Sequence, residues 1–136
     1  MMSAKGNIVV TCNNKGLATA IQMLLEKEFS NVINESDNDK IVQLSKKISI
    51  DIIVADMGQE LFGNIKTLQE FIRTIKEIDN KIQIVLLANY SQNSTAFEGV
   101  ENGAFDFVMK PWNNEKLLVT VRNAFRMKQQ LTSMEQ

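Results

Sequence analysis

The stretch Ile50-Asp51-Ile52-Ile53-Val54-Ala55-Asp56 is a run of β-branched and small apolar residues closed by a carboxylate. Its centre shows no polar alternation, the pattern of a strand covered on both faces, and such strands belong to parallel sheets flanked by helices. Ile82 to Leu87 repeats the pattern, and Asn7-Ile8-Val9-Val10-Thr11 gives another such strand between Gly6 and the polar turn Cys12-Asn13-Asn14. Helical spacing fills the intervals. Leu17, Ala20, Ile21, Leu24, Leu25 and Phe29 predict a helix ending at Ser30-Asn31, and Val32-Ile33 reads as a weaker second strand. Asp39 is placed to cap a helix carrying Ile41, Val42, Leu44 and Ile48. Ile65, Leu68, Phe71, Ile72, Ile75 and Ile78 predict a third helix, ended by Asp79-Asn80. Phe97 and Val100 mark a short helix closed by Asn102-Gly103. Ala104 to Met109 is a fifth strand, and Pro111 turns the chain into a last helix through Leu117, Leu118, Val121 and Phe125. Five strand-helix units predict an α/β domain with a five-stranded parallel sheet, doubly wound and flavodoxin-like, in strand order 2-1-3-4-5.

The chain has 136 residues, and its 44% hydrophobic content is enough for one core, placed here at residues 1–128. Residues 129–136 read as a C-terminal tail or the start of a linker helix. Met127, Leu131 and Met134 continue the apolar spacing there, which suits a linker helix or dimer seam as well as a frayed terminus. With 15 basic and 16 acidic residues, nothing attracts the whole domain to phosphates, so direct nucleic acid binding is not expected. The apolar runs are far shorter than the ~20 residues of a membrane span, and the expected location is cytoplasmic, away from any membrane. Cys12 is the single cysteine and histidine is absent, which excludes an internal disulfide and any histidine-based acid-base, metal or phosphohistidine chemistry in this chain.

Chemistry in an open parallel sheet sits beyond the carboxyl ends of the strands. Those ends are Cys12-Asn13, Asp56, Ala88-Asn89 and Lys110-Pro111, the last containing the only proline. An aspartate at a strand end is often a loop cap. Its pairing with a lysine predicted on the same rim makes Asp56 the candidate centre.

Three segments carry a resemblance: Ile50 to Met57, Ile84 to Ala88, and above all Gly103-Ala104-Phe105-Asp106-Phe107-Val108-Met109-Lys110-Pro111-Trp112. Together they resemble the receiver domain of two-component response regulators, from about Asn7 to Met127. The last helix, Asn114 to Ala124, is similar to receivers at the front of sigma-54-type transcriptional activators. The resemblance implies that Asp56 is the phosphoacceptor and that Lys110 holds the phosphoryl oxygens. It also implies Phe107 as the switch aromatic, Asp56 with the Gly58 carbonyl as Mg²⁺ ligands, a sensor histidine kinase as phosphodonor and an output domain or partner protein as target. A homodimer through the helix 4, strand 5 and helix 5 face belongs to the same expectation. A cis Lys110–Pro111 bond occurs in many receivers, and the sequence leaves the isomer open.

Two family positions depart from the pattern. The acidic pair that ends strand one maps onto Cys12-Asn13, and the hydroxyl residue that ends strand four maps onto Ala88. Mg²⁺ prefers carboxylate oxygens, and the first acid in the chain is Glu26, so Mg²⁺ binding is expected to be weak. With no metal to share it, Lys110 is expected to pair directly with Asp56, giving a degenerate receiver. Glu60 either reaches a metal or points to solvent, and the solvent reading is favoured. Cys12 is read as a small buried hydrophobe rather than a redox thiol, because no cationic neighbour is evident. Trp112 is expected to pack over the entrance to the last helix; Arg122 and Arg126 form either a partner surface or a solvated face. The expected function is a non-enzymatic signalling module, accepting or formerly accepting a phosphoryl group at Asp56 and controlling a transcriptional output. The alternatives are a phosphorylation-independent interaction module and a flavodoxin-like ligand-binding enzyme domain. Against the last, the loop Cys12 to Leu17 holds one glycine and no phosphate cradle.

Overall fold

The computed structural model describes residues 4–58 and 65–134. The elements run β1 (Ala4–Thr11), α1 (Lys15–Leu25), β2 (Phe29–Asn34), α2 (Asn38–Lys47), β3 (Ile52–Asp56), α3 (Ile65–Ile78), β4 (Gln83–Ala88), α4 (Asn93–Glu101), β5 (Asp106–Met109) and α5 (Asn114–Met134). All pairings are parallel and the sheet order is β2-β1-β3-β4-β5. The expected doubly wound fold is what forms.

Unbroken apolar strands are required because the sheet has a core on each face. Ile8, Val10, Ile52, Val54, Val85 and Leu87 pack with α1 and α5 residues such as Ile21, Leu25, Val121 and Phe125. Their neighbours Val9, Ile53, Ala55, Ile84, Leu86 and Ala88 face the other way, among Ile41, Leu68, Ile72, Ile75 and Ala96. Successive side chains on a strand alternate faces, so a strand buried on both sides has no polar position to spare.

Boundaries shift where a local rule competes with packing. Phe29 belongs to β2 rather than to the first helix, which ends at Leu25 with Glu26 as its cap. The Phe29 ring meets Phe125 edge-on, with centroids 5.5 Å apart, so the same core is reached from a strand. The cap of α2 is Asp37, not Asp39: its carboxylate accepts from the Asp39 and Lys40 amides. β3 and β4 start one to two residues later than the apolar pattern suggests, and β5 starts at Asp106 rather than Ala104. Gly103, at φ 122°, makes the turn between α4 and β5, a conformation that costs a side-chain-bearing residue dearly.

The last helix continues unbroken past residue 128 to Met134. It is anchored at the end of the sheet opposite Asp56. Lys128 Nζ lies 2.8 Å from Asp51 Oδ1, with side chains 12% and 15% exposed, and Asp51 Oδ2 accepts the Asn7 amide at 2.7 Å. One carboxylate thus joins β1, the entrance to β3 and α5. Replacing it strands a mostly buried ammonium and an amide together. Asp51→Ala is expected to lower stability by about 2–4 kcal/mol, read from urea unfolding at neutral pH.

Candidate functional site

Strand register assembles the rim. Thr11 pairs with Ala55, Asp56 with Leu87, and Ala88 with Met109, so Cys12, Asp56, Ala88 and Lys110 all emerge at the carboxyl edge of the sheet. Parity then sorts them. Cys12 follows Ile8 and Val10, and Asp56 follows Ile52 and Val54, which places both side chains on the α1/α5 face. Lys110 extends the parity of Val108 on that same face. Ala88 and Phe107 lie on the opposite face, Ala88 fully buried and Phe107 half-buried. Asn13 is exposed.

Asp56 is 5% exposed, and three donors surround its carboxylate. Lys110 Nζ lies 2.5 Å from Oδ1, the Gly58 amide donates to Oδ1 at 3.1 Å, and the Cys12 thiol donates to Oδ2 at 3.3 Å. The pair carries one negative and one positive charge. Lys110 is held in turn by its backbone amide, which donates to the Ala88 carbonyl at 2.7 Å, and the bond to Pro111 is cis. Gly58 gives this cluster its tightness, since a Cβ there would sit 3.2 Å from Lys110 Nζ and 3.3 Å from both Asp56 oxygens.

The Cys12 thiol is a donor, not a nucleophile. Burial pushes its pKa up to about 11, the Asp56 carboxylate adds to the rise, and the Asn14 backbone and the Lys110 charge pull the other way. A cationic neighbour is therefore present after all, but desolvation outweighs it. Trp112 is half-buried against the α1/α5 core, and with Leu17, Lys110 and Pro111 it lines a cleft of about 290 Å³ beside the cluster. Arg122 is committed to an intramolecular partner: its Nε donates to Glu28 Oε2 at 3.0 Å and its second amino group pairs with Oε1, holding the Glu28 carboxyl below its usual range. Arg126 stays exposed. Glu60 lies outside the described residues.

Residues 8–122 match the family model of the response regulator receiver domain. The chain belongs to that family. This receiver domain is 29% identical over 125 residues to the transcriptional regulatory protein ZraR of Salmonella typhimurium, covering 91% of this chain and 27% of that protein. It is 32% identical to Histidine kinase P4 of Formosa agariphila over 88% of this chain and 8% of that protein. The chain thus spans about a quarter or less of these curated relatives. Among solved structures it is similar to the N-terminal receiver of a Bacteroides fragilis two-component response regulator, at 34% identity and TM-score 0.79, covering 90% of this chain and 98% of that one. Receiver domains are typically non-catalytic signalling modules of two-component systems. No helix among the described residues is long and apolar enough to cross a membrane.

Sequence reasoning placed Asp56 opposite Lys110 but did not join Cys12 to Asp56, although strand parity carries that information. It also passed over Gln92. Its amide Nε2 donates to the Met57 carbonyl at 2.6 Å, and the Asn89-x-x-Gln92 capping pattern was the available clue.

Because the folded state favours the protonated thiol, its contribution to stability is complete below about pH 9 and declines as the pH rises through about 11. Alkylation of Cys12 in the folded chain is expected to be at least tenfold slower at pH 8 than in urea, where the thiol titrates normally. Mass spectrometry of iodoacetamide time courses checks this, and equal rates in the two states contradict it.

Proposed function

We propose that this receiver domain controls its output through protein contacts without Mg²⁺-dependent phosphorylation of Asp56, the Lys110–Asp56 ion pair holding the rim in one state. The carrying observation is the donor set on Asp56. Both oxygens are already satisfied, by an ammonium, an amide and a thiol.

The residues present do not fit the hard cation that receivers generally bind. Mg²⁺ demands oxygen ligands and several negative charges, whereas Cys12 offers a protonated sulfur, exposed Asn13 a neutral amide and Gly58 a neutral carbonyl. In this reading Asp56 keeps the phosphoacceptor position and Lys110 the phosphoryl-contacting one. No group of three or more metal-ligating side chains forms among the described residues, and the Asp56 charge is already paired with Lys110, which leaves little to assemble a metal-bridged phosphoryl transfer. Cys12 and Asn13 stand at the degenerate acidic-pair positions and Ala88 at the degenerate switch position. A sensor histidine kinase then acts as a docking partner at most. The output is transcriptional, by analogy with ZraR, whose name describes a transcriptional regulatory protein and of which this chain covers 27%. A second copy meeting through α4, β5 and α5 belongs to the same reading, supported by Phe97, 59% exposed on α4.

Intact mass after incubation with acetyl phosphate and Mg²⁺ tests the reading directly. No adduct is expected in the unmodified chain or in Asp56→Asn; an adduct confined to the unmodified chain overturns it. The paired substitution Cys12→Asp, Asn13→Asp is expected to raise Mg²⁺ affinity at least tenfold, followed through Trp112 fluorescence. Asp56→Asn is expected to leave the sedimentation behaviour unchanged.

A further inference from the structure

In place of a hydroxyl at the end of β4 stands Ala88, whose methyl is buried in the second core, on the face of the sheet opposite Asp56. The polar connection to Asp56 runs through the next turn instead. Asn89 caps a short 3-10 turn, Tyr90–Gln92, that leads into α4, its side chain accepting from the Gln92 amide at 3.1 Å and from Ser91 Oγ at 2.7 Å. The Gln92 side chain completes the box. Its Oε1 accepts the Asn89 amide at 2.9 Å, and its Nε2 donates to the Met57 carbonyl 35 residues away at 2.6 Å. An amide N–H is served only by the oxygen and a carbonyl only by the nitrogen, so both ends fix one orientation of this side chain.

The Met57 carbonyl and the Gly58 amide are the two ends of one planar peptide unit, which point in opposite directions. Gln92 holds the first end, and Asp56 Oδ1 receives the second at 3.1 Å. Upstream, the Met57 amide is itself tied to the Leu87 carbonyl at 2.8 Å, and Met57 is fully buried, so the unit has little freedom of its own. Hydrogen bonds in such a series polarise one another. The chain of contacts is therefore Gln92 amide, Met57–Gly58 peptide, Asp56 carboxylate, Lys110 ammonium.

We infer that Gln92 is a positioning residue that couples Asp56 to α4: by pinning the Met57–Gly58 peptide it sets the Gly58 amide on Asp56 and ties that geometry to the turn displaying Tyr90. Tyr90 is 87% exposed and Phe97, seven residues on, 59%, so the coupled segment from the 3-10 turn into α4 carries two exposed aromatic side chains. The inference rests on the reading of the Asp56 cluster as the centre of the module. It adds the route by which that cluster is felt at α4.

Two-dimensional amide NMR of the full chain tests it. Asp56→Asn is expected to shift the Asn89 to Ser94 resonances when Gln92 is present. In Gln92→Glu, which keeps the acceptor for Asn89 but loses the donor to Met57, that response is expected to fall at least threefold, and Gly58 amide exchange to rise about tenfold. Gln92→Met, of similar shape without either polar group, is expected to behave alike and guards against a misfolded glutamate variant. A response of equal size in both variants overturns the coupling, as does its absence when Gln92 is intact. Scalar coupling across the Gln92 Nε2–Met57 hydrogen bond requires no variant, and failure to detect it counts against the assignment. A phosphoryl adduct on Asp56 would sink the proposed function alone, leaving the Gln92 result to stand or fall separately.

Discussion

A carboxylate that is 5% exposed at the edge of a sheet must be neutralised by what surrounds it, because an isolated buried charge costs far more than a domain of this size can offset. Asp56 meets that demand with Lys110 on one oxygen and a thiol on the other. Everything at the rim follows from this pairing. The turn after β5 must bring Lys110 back toward β3, the loop after β3 must present the Gly58 amide without a Cβ in the way, and the end of β1 must place a donor rather than another acid beside Oδ2.

That last requirement reverses the usual electrostatics of such a site. Two additional carboxylates would repel Asp56 and call for a divalent cation; a protonated thiol and an exposed amide do neither. In the proposed reading the arrangement is therefore self-contained, since a carboxylate already saturated by fixed donors has little differential affinity for a ligand that would switch it. The curated relatives it matches are much longer proteins, of which this chain covers 27% and 8%, and in the proposed reading the module's contribution is a constant surface.

The opposite end of the sheet uses similar physics for another purpose. Asp51 and Lys128 form a mostly buried pair that fastens α5 to β3 beyond the last turn of apolar packing. Arg122 and Glu28 fasten the same helix to the connection between α1 and β2. The helix therefore leaves the domain in a set direction, with Met127 and Met134 exposed along its final turns.

The sequence by itself determined the α/β class, the parallel sheet and the positions of Asp56 and Lys110, since two-sided burial demands unbroken β-branched strands and helical spacing separates them. It also determined that Cys12 and Asn13, not acids, stand at the end of the first strand, and that Ala88, not a hydroxyl residue, ends the fourth. Tertiary structure decided what that composition does. Phe29 was legible as apolar but not as a strand residue, because a spacing of four from Leu25 fits a helix until the turn at Glu26 to Glu28 is known. The Cys12 thiol on Asp56, the Gln92 amide on Met57 and the Lys128 ammonium on Asp51 join residues 44, 35 and 77 positions apart. Such contacts depend on strand register and loop direction together; parity and capping patterns indicate the face or turn a residue occupies, but not its distance from a partner across the fold.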